Sequence, residues 1–253
     1  MNREELIELY WNKGLSIGEI AEIKGRTRGD VMYWMKKLNI PRRSKPEGNK
    51  MYWMRHPIAK YRMLFKPSSL AYILGVVLGD GWIHSPPNGR YRVCLRTTNL
   101  RFAEEFMRAI KDVGLNPHLR INNYFHSKNP NWSVMYDVVT LSKELYLFIK
   151  DMRGNLDKLR DFLINNGVVR EFLKGFYEAE GSYTANGIRI TNTDEEKIKL
   201  VVELLATYGF KTSIYSTKTK KDIYILGGRK EIDRFISWLN PCIKNSIELE
   251  AES

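Results

Sequence analysis

Two acids stand a hundred residues apart in matching surroundings. Asp80 closes the almost unbroken apolar run 70–78 within Gly79-Asp80-Gly81, and Glu180 closes the segment 172–178 within Ala179-Glu180-Gly181. Gly75, Gly79, Asp80 and Gly81 thus map onto Gly175, Ala179, Glu180 and Gly181. An acid at the C-terminal end of a helix meets a potential already made negative by the macrodipole and the free carbonyls. Two such carboxylates brought together repel one another and call for a cation. Small residues four apart, Gly75 with Gly79 and Gly175 with Ala179, lie on one helical face and admit a second backbone far closer than Leu or Val would. The two helices can therefore cross and deliver both acids to one axis. Alone, either acid would serve as well as a polar end to a buried helix; the matched pair is what carries the chemistry.

The elements that must position these acids form an internal duplication over residues 68–253, with repeats at 68–155 and 166–250. Each copy opens with the apolar helix. A strand pair follows, closing with Tyr-Arg-Val-Cys-Leu-Arg-Thr at 91–97 in the first copy and Gly-Ile-Arg-Ile-Thr at 187–191 in the second. An amphipathic helix comes next, 100–113 (Phe102, Phe106, Ile110) and 194–208 (Ile198, Val201, Leu205), stopped by Gly114 and Gly209. Two further strands per copy are expected around 118–124 with 135–139 and around 212–216 with 223–226. A closing helix starts near Ser142 and near Gly228. The order αββαββα, twice, predicts a pseudo-twofold α/β (α+β) domain with two antiparallel sheets.

Ahead of it, residues 1–44 carry three helical patterns: Leu6, Leu9 and Tyr10; Ile17, Ile20, Ala21 and Ile23; Val31, Trp34, Met35 and Leu38. Ser16 with Glu19 and Thr27 with Asp30 have capping-box spacing, and Gly25 suits a tight turn between helices. Residues 45–67 lose periodicity and gather basic residues, which reads as a linker; Tyr52, Trp53, Tyr61 and Phe65 suggest that part of it lies on the next domain or on DNA. The formal net charge of +12 points to a polyanionic partner, with nucleic acid favoured over an anionic membrane because no apolar segment reaches spanning length. Cys94 and Cys242 alone are too few for a disulfide framework or a cysteine zinc site. The N-terminal residues read as neither a secretion signal nor a transit peptide, so a cytoplasmic location is expected.

Two resemblances sharpen this reading. Residues 14–40, GLSIGEIAEIKGRTRGDVMYWMKKLNI, resemble a small helix-turn-helix domain of the kind found in many bacterial and archaeal DNA-binding proteins. That likeness implies that the last helix enters the major groove, with Arg26, Arg28, Gly29, Tyr33 and Lys37 at or near DNA. A three-helix bundle that binds protein is the competing reading. Residues 73–81, ILGVVLGDG, and 173–181, LKGFYEAEG, are similar to the paired signature motifs of LAGLIDADG homing endonucleases. The duplicated order around them extends the likeness over roughly residues 68–250.

The second resemblance implies that Asp80 and Glu180 hold a divalent metal, with Gly79 and Ala179 beside them, each near one scissile phosphate. Oxygen donors without a nearby cysteine or a histidine pair suit Mg²⁺, and Mn²⁺ or Ca²⁺ could take the same place. Strand alternation puts Arg92, Cys94 and Arg96 on one face against Val93 and Leu95, and Arg189 and Thr191 against Ile188 and Ile190. The polar faces add Arg120, Asn122 and Tyr124 from one copy and Ser213, Tyr215, Thr217 and Tyr224 from the other, with Lys218 and Lys220 in a turn suited to phosphate. Where many family members carry a lysine or glutamine after the second strand, this chain has Thr97-Thr98-Asn99 and Asn192-Thr193. Arg96 and Lys244 are the candidate basic groups in their stead. The expected protein is a monomeric, Mg²⁺-dependent, site-specific endonuclease acting on double-stranded DNA. The alternative is a catalytically silent DNA-binding regulator or intron RNA maturase on the same fold.

Overall fold

The structure is a computed structural model that describes residues 2–48, 51, 66–85, 89–123, 133–184 and 187–244. Most of the aromatic-basic stretch expected to link the domains, including Tyr52, Trp53, Tyr61 and Phe65, lies outside the described residues, as does Tyr124. The chain divides into two compact units, Met1–Tyr61 and Arg62–Ser253.

In the first unit α1 (Arg3–Ile7) runs into a π-helical stretch, Glu8–Asn12, and is followed by α2 (Ile17–Ile23) and α3 (Arg28–Lys37). Both capping boxes form: Ser16 with Glu19 and Thr27 with Asp30 each exchange side-chain and backbone hydrogen bonds. Leu6, Tyr10, Ile20, Ala21, Val31, Met35 and Ile40 make the core. Ile23 does not join it and is 60% exposed, because two residues on from the buried Ala21 it is turned about 200° round the helix. Residues 45–48, at the start of the expected linker, are helical; Ser44 and Glu47 cap them reciprocally.

The second unit begins with α4 (Pro67–Leu78), which has Pro at its first position and is buried on every side from Ser69 to Leu78. Then come β1 (Trp82–His84), β2 (Arg92–Thr97), α5 (Leu100–Asp112), β3 (His118–Asn122), β4 (Met135–Leu141) and α6 (Lys143–Gly154). The second copy repeats the order: α8 (Val169–Glu180), β5 (Gly181–Thr184), β6 (Gly187–Asn192), α9 (Glu195–Thr207), β7 (Thr212–Ser216), β8 (Lys221–Ile225) and α10 (Gly228–Leu239). Between them lies α7 (Leu156–Asn165), which the duplicated pattern leaves unassigned. Asn155 ends α6 and caps α7 through its side chain, and Leu159 and Leu163 drop into the core.

Each copy builds a four-stranded antiparallel sheet, ordered β1-β2-β4-β3 and β5-β6-β8-β7. The registers correspond: Arg96 pairs with Asp137, which pairs with Arg120, and Thr191 pairs with Asp222, which pairs with Tyr215. Val93, Leu95, Val138, Ile188, Ile190 and Ile223 face a single core that runs through both copies. The edge strands β3 and β7 overhang it, so that Ile121 and Ile214 stand in solvent at 65% and 48% exposure. Among the described residues no helix is long and apolar enough to cross a membrane.

Candidate active site

Helices α4 and α8 cross in direct backbone contact. A Cβ on Gly75 would fall 2.1 Å from the Phe172 carbonyl oxygen and 2.7 Å from the Phe176 amide; one on Gly175 would fall 2.4 Å from the Tyr72 carbonyl oxygen and 3.0 Å from the Val76 amide. The two contacts are each other's image under the duplication. At the ends of the helices a Cβ on Gly79 would lie 2.5 Å from the Ala179 Cβ and 3.6 Å from the Glu180 Oε1. The small residues read from sequence as an approach device therefore meet, and they leave Glu180 beside the residue that precedes Asp80.

The acids feel this placement. The protein packed around Asp80 raises its carboxyl above the ordinary range, although the residue opens to solvent, and Lys244 opposes the rise. Burial raises Glu180 as well, with repulsion from Asp80 next in weight. The Asn192 side-chain amide donates to Glu180 Oε1 at 2.7 Å. Asn192 sits where the family pattern places its auxiliary polar residue, and only the structure gives it a partner.

Two ammonium groups close the helix ends. Lys244, held at φ +58°, donates to the carbonyls of Glu178 and Ala179 at 2.7 and 2.9 Å, and its own carbonyl accepts from the Tyr177 hydroxyl at 2.8 Å. Lys197, from α9, donates to the Leu78 carbonyl at 2.9 Å and is drawn electrostatically towards Glu180. Lys197 had no signal in the sequence, because it stands on the amphipathic helix rather than after a strand. Glu178 is 1% exposed in the second motif helix where the first has Leu78. Its carboxylate accepts from the Tyr72 hydroxyl and from the Cys242 amide, each at 2.6 Å, fastening the segment that carries Lys244.

The donor set fits a hard divalent cation. Burial raises both carboxyls, and repulsion from Asp80 adds to the rise at Glu180; each regains ionisation when a cation neutralises it. The Ala179 carbonyl already receives the Lys244 ammonium. Among the described residues no three His, Cys, Asp or Glu side chains gather for a metal.

On the sheets, Arg92, Arg96, Arg120 and Asn122 share one face with Asp137, and Arg189, Thr191 and Tyr215 share the corresponding face with Asp222. Arg96 forks onto Asp137 (Nε–Oδ1 2.5 Å, Nη2–Oδ2 3.0 Å), which holds that carboxyl below its usual value. Cys94 lies on this face too but is buried at 3% exposure. Lys218 and Lys220 are exposed in the β7–β8 turn, whereas Lys221 is paired with Glu195 at 2.7 Å. In the first unit Arg28, Tyr33 and Lys37 are all exposed on α3, the Lys37 ammonium lying 5.0 Å from the Trp34 ring centre.

Comparisons with known proteins bear on the fold and the family. An uncharacterised protein of Methanocaldococcus jannaschii, MJ0314, is 33% identical over 162 residues, 60% of this chain and 59% of its own length, so the chain spans about three fifths of that relative. A second, MJ0398, is 28% identical over 82% of this chain and 78% of its own length. The homing endonuclease I-DmoI of Desulfurococcus mucosus is 23% identical over 62% of this chain and 78% of its own. The structure of I-DmoI with DNA and Ca superposes with a TM-score of 0.54 at 22% identity, covering 73% of this chain and 98% of that one. The N-terminal LAGLIDADG domain of DUF199/WhiA gives 0.51 at 13% identity, covering 76% and 94%. The structural likenesses establish the fold. The LAGLIDADG-like domain family matches residues 68–153 and 167–239, more than half of the sequence and both copies of the repeat, and the chain belongs to that family.

Proposed function

We propose that this protein is a divalent-cation-dependent, site-specific DNA endonuclease that hydrolyses one phosphodiester in each strand, acting as a monomer whose two copies serve the two strands. The observation that carries the reading is that Asp80 and Glu180 end two helices in backbone contact, with Gly79 against Ala179 and Glu180 and both carboxyls raised by their surroundings. The homologous I-DmoI is a homing endonuclease whose structures with DNA contain Mn or Ca, which supports both the substrate and the class of cation.

Asp80 and Glu180 hold the cation, Mg²⁺ first among candidates, with the Gly79 carbonyl beside them. When bound, the cation lowers the pKa of an attacking water and offsets charge on the leaving oxygen. Asn192 fixes the Glu180 carboxylate in one orientation. Lys244 and Lys197 neutralise the helix-end carbonyls that would otherwise oppose a phosphate. Arg96, tied to Asp137, serves DNA contact in preference to proton handling. Arg92, Arg120, Asn122, Arg189, Thr191, Tyr215, Lys218 and Lys220 form the surface for bases and phosphates, and the first unit acts as a helix-turn-helix domain that adds Arg28, Tyr33 and Lys37. One observation favours the alternative of a silent DNA-binding regulator: Lys244 occupies a carbonyl that a metal site would use.

Purified protein incubated with DNA from its own gene neighbourhood, with Mg²⁺, Mn²⁺ or EDTA, separates the two. Site-specific cutting that EDTA abolishes is expected, and Asp80→Asn and Glu180→Gln should each lower it by about 100-fold or more while duplex binding persists. Cutting that survives both substitutions, or wild-type protein that binds DNA and never cuts it, overturns the reading.

A further inference from the structure

The two sheet faces carry the same buried acid with opposite consequences. Asp137 and Asp222 occupy equivalent positions of β4 and β8 and are 7% and 4% exposed. Neither carboxylate reaches solvent well enough to touch a base. Each instead takes hydrogens from the residue beside it on the inner strand, and those residues differ in kind. Arg96 gives Asp137 its Nε hydrogen and one from Nη2. A guanidinium has five N–H donors and no acceptor, so what Arg96 still offers outward is donors alone. Thr191 gives Asp222 its single hydroxyl hydrogen at 2.5 Å. Its oxygen then has lone pairs left and no hydrogen, so what it offers outward is an acceptor alone.

We infer that the side chains these buried aspartates hold, a guanidinium in one copy and a hydroxyl fixed as an acceptor in the other, set the polarity of base reading, so that the two half-sites differ at symmetry-related positions. The first copy selects guanine, whose O6 and N7 accept from Arg96; the second selects a base with an exocyclic amine, adenine N6 or cytosine N4, donating to Thr191. The inference rests on the proposed DNA reading and names part of its substrate. Arg96 keeps 42% of its side chain exposed for the purpose, and Thr191 is half-buried.

The test is selection by the full chain from a pool of randomised duplexes in Ca²⁺ buffer, followed by competition among duplexes altered at one position. Wild-type protein should enrich an asymmetric site with guanine at one position and adenine or cytosine at its counterpart. Thr191→Val, which keeps the methyl and loses the acceptor, should flatten the second preference by about tenfold. Thr191→Ser, which keeps the hydroxyl, should preserve it. Asp222→Ala, which removes the acceptor and frees the hydroxyl hydrogen, should admit guanine or thymine there. Arg96→Met should flatten the guanine preference alone. An unchanged preference in Thr191→Val, or identical bases selected at both positions, overturns the inference and leaves the DNA reading intact. A pool that wild-type protein does not enrich removes the DNA reading and this inference with it. Thermal melting of each variant separates a lost contact from a lost fold.

Discussion

The two copies of the repeat share a backbone and little of their chemistry. Where they touch one another they are alike: Gly75 and Gly175 each lie against the other's main chain at distances no side chain tolerates. One residue outward they diverge. Leu78 of the first motif helix is replaced by Glu178, Asp80 by Glu180, Thr97 by Asn192 and Arg96 by Thr191. The first helix is apolar on all sides, whereas the second turns a polar stripe towards Tyr72, Cys242 and Lys244. Contact with another backbone fixes residue type by steric exclusion. Contact with side chains asks only that charge and hydrogen bonds be satisfied, and that has many solutions.

The comparison breaks most visibly at the glycines. Gly75→Ala and Gly175→Ala should each cost about 4 kcal/mol or more, read as loss of folded protein or a large fall in thermal midpoint, since the obstacle is main chain that cannot rotate away. Equal effects confirm that the axis is symmetric; a mild effect at either would show that the helices can part. Glu178 comes next. Glu178→Leu, which restores the first copy's residue, leaves the Tyr72 hydroxyl and the Cys242 amide without their acceptor and should cost about 2–4 kcal/mol; Glu178→Gln should cost less. A neutral Glu178→Leu would mean that the two helix ends are interchangeable.

The acids test the comparison through pH. Asp80 and Glu180 have folded-state carboxyls raised above their unfolded values, so folding favours their protonated forms and ionisation at neutral pH costs stability. That penalty appears as pH rises through the ordinary carboxylate range. Asp80→Asn and Glu180→Gln should therefore melt no lower than wild type at pH 7, higher by about 2 °C or less. Glu180, nearer its neighbours and repelled by Asp80, should show the larger gain. The smallest difference is at the caps of α5 and α9. Asn99→Ala should cost about 1 kcal/mol and Asp194→Ala slightly more, because Asp194 accepts from two amides and its charge suits a helix N-terminus.

Much of the site was legible because it obeys steric and periodic rules. Acid-glycine endings a hundred residues apart, small residues at helical spacing and strands of alternating character each have one structural meaning, and the sheets and motif helices follow from them. What escaped notice depends on partners distant in sequence. Lys197 reads as an ordinary polar residue of an amphipathic helix until the Leu78 carbonyl is placed above it. Asp137 and Asp222 are lone acids in apolar strands, MYDVVTL and KDIYI, whose role appears only when the register sets Arg96 and Thr191 beside them. The helix α7 was missed because it belongs to neither repeat. Ile23 reads as a core position because it is apolar and three residues from Ile20, yet it lies across the helix from Ala21.

The contact between Gly75 and the Phe172 carbonyl acts as a ruler. With no side chain between the helices at Gly75 and Gly175 and only the Ala179 methyl against Gly79, the separation of the two acids is set by close van der Waals contact, which substitutions on the sheets do not reach. If the protein cuts as proposed, redesigning its sheets to seek another sequence would move the cut along the genome without changing the stagger between the two nicks.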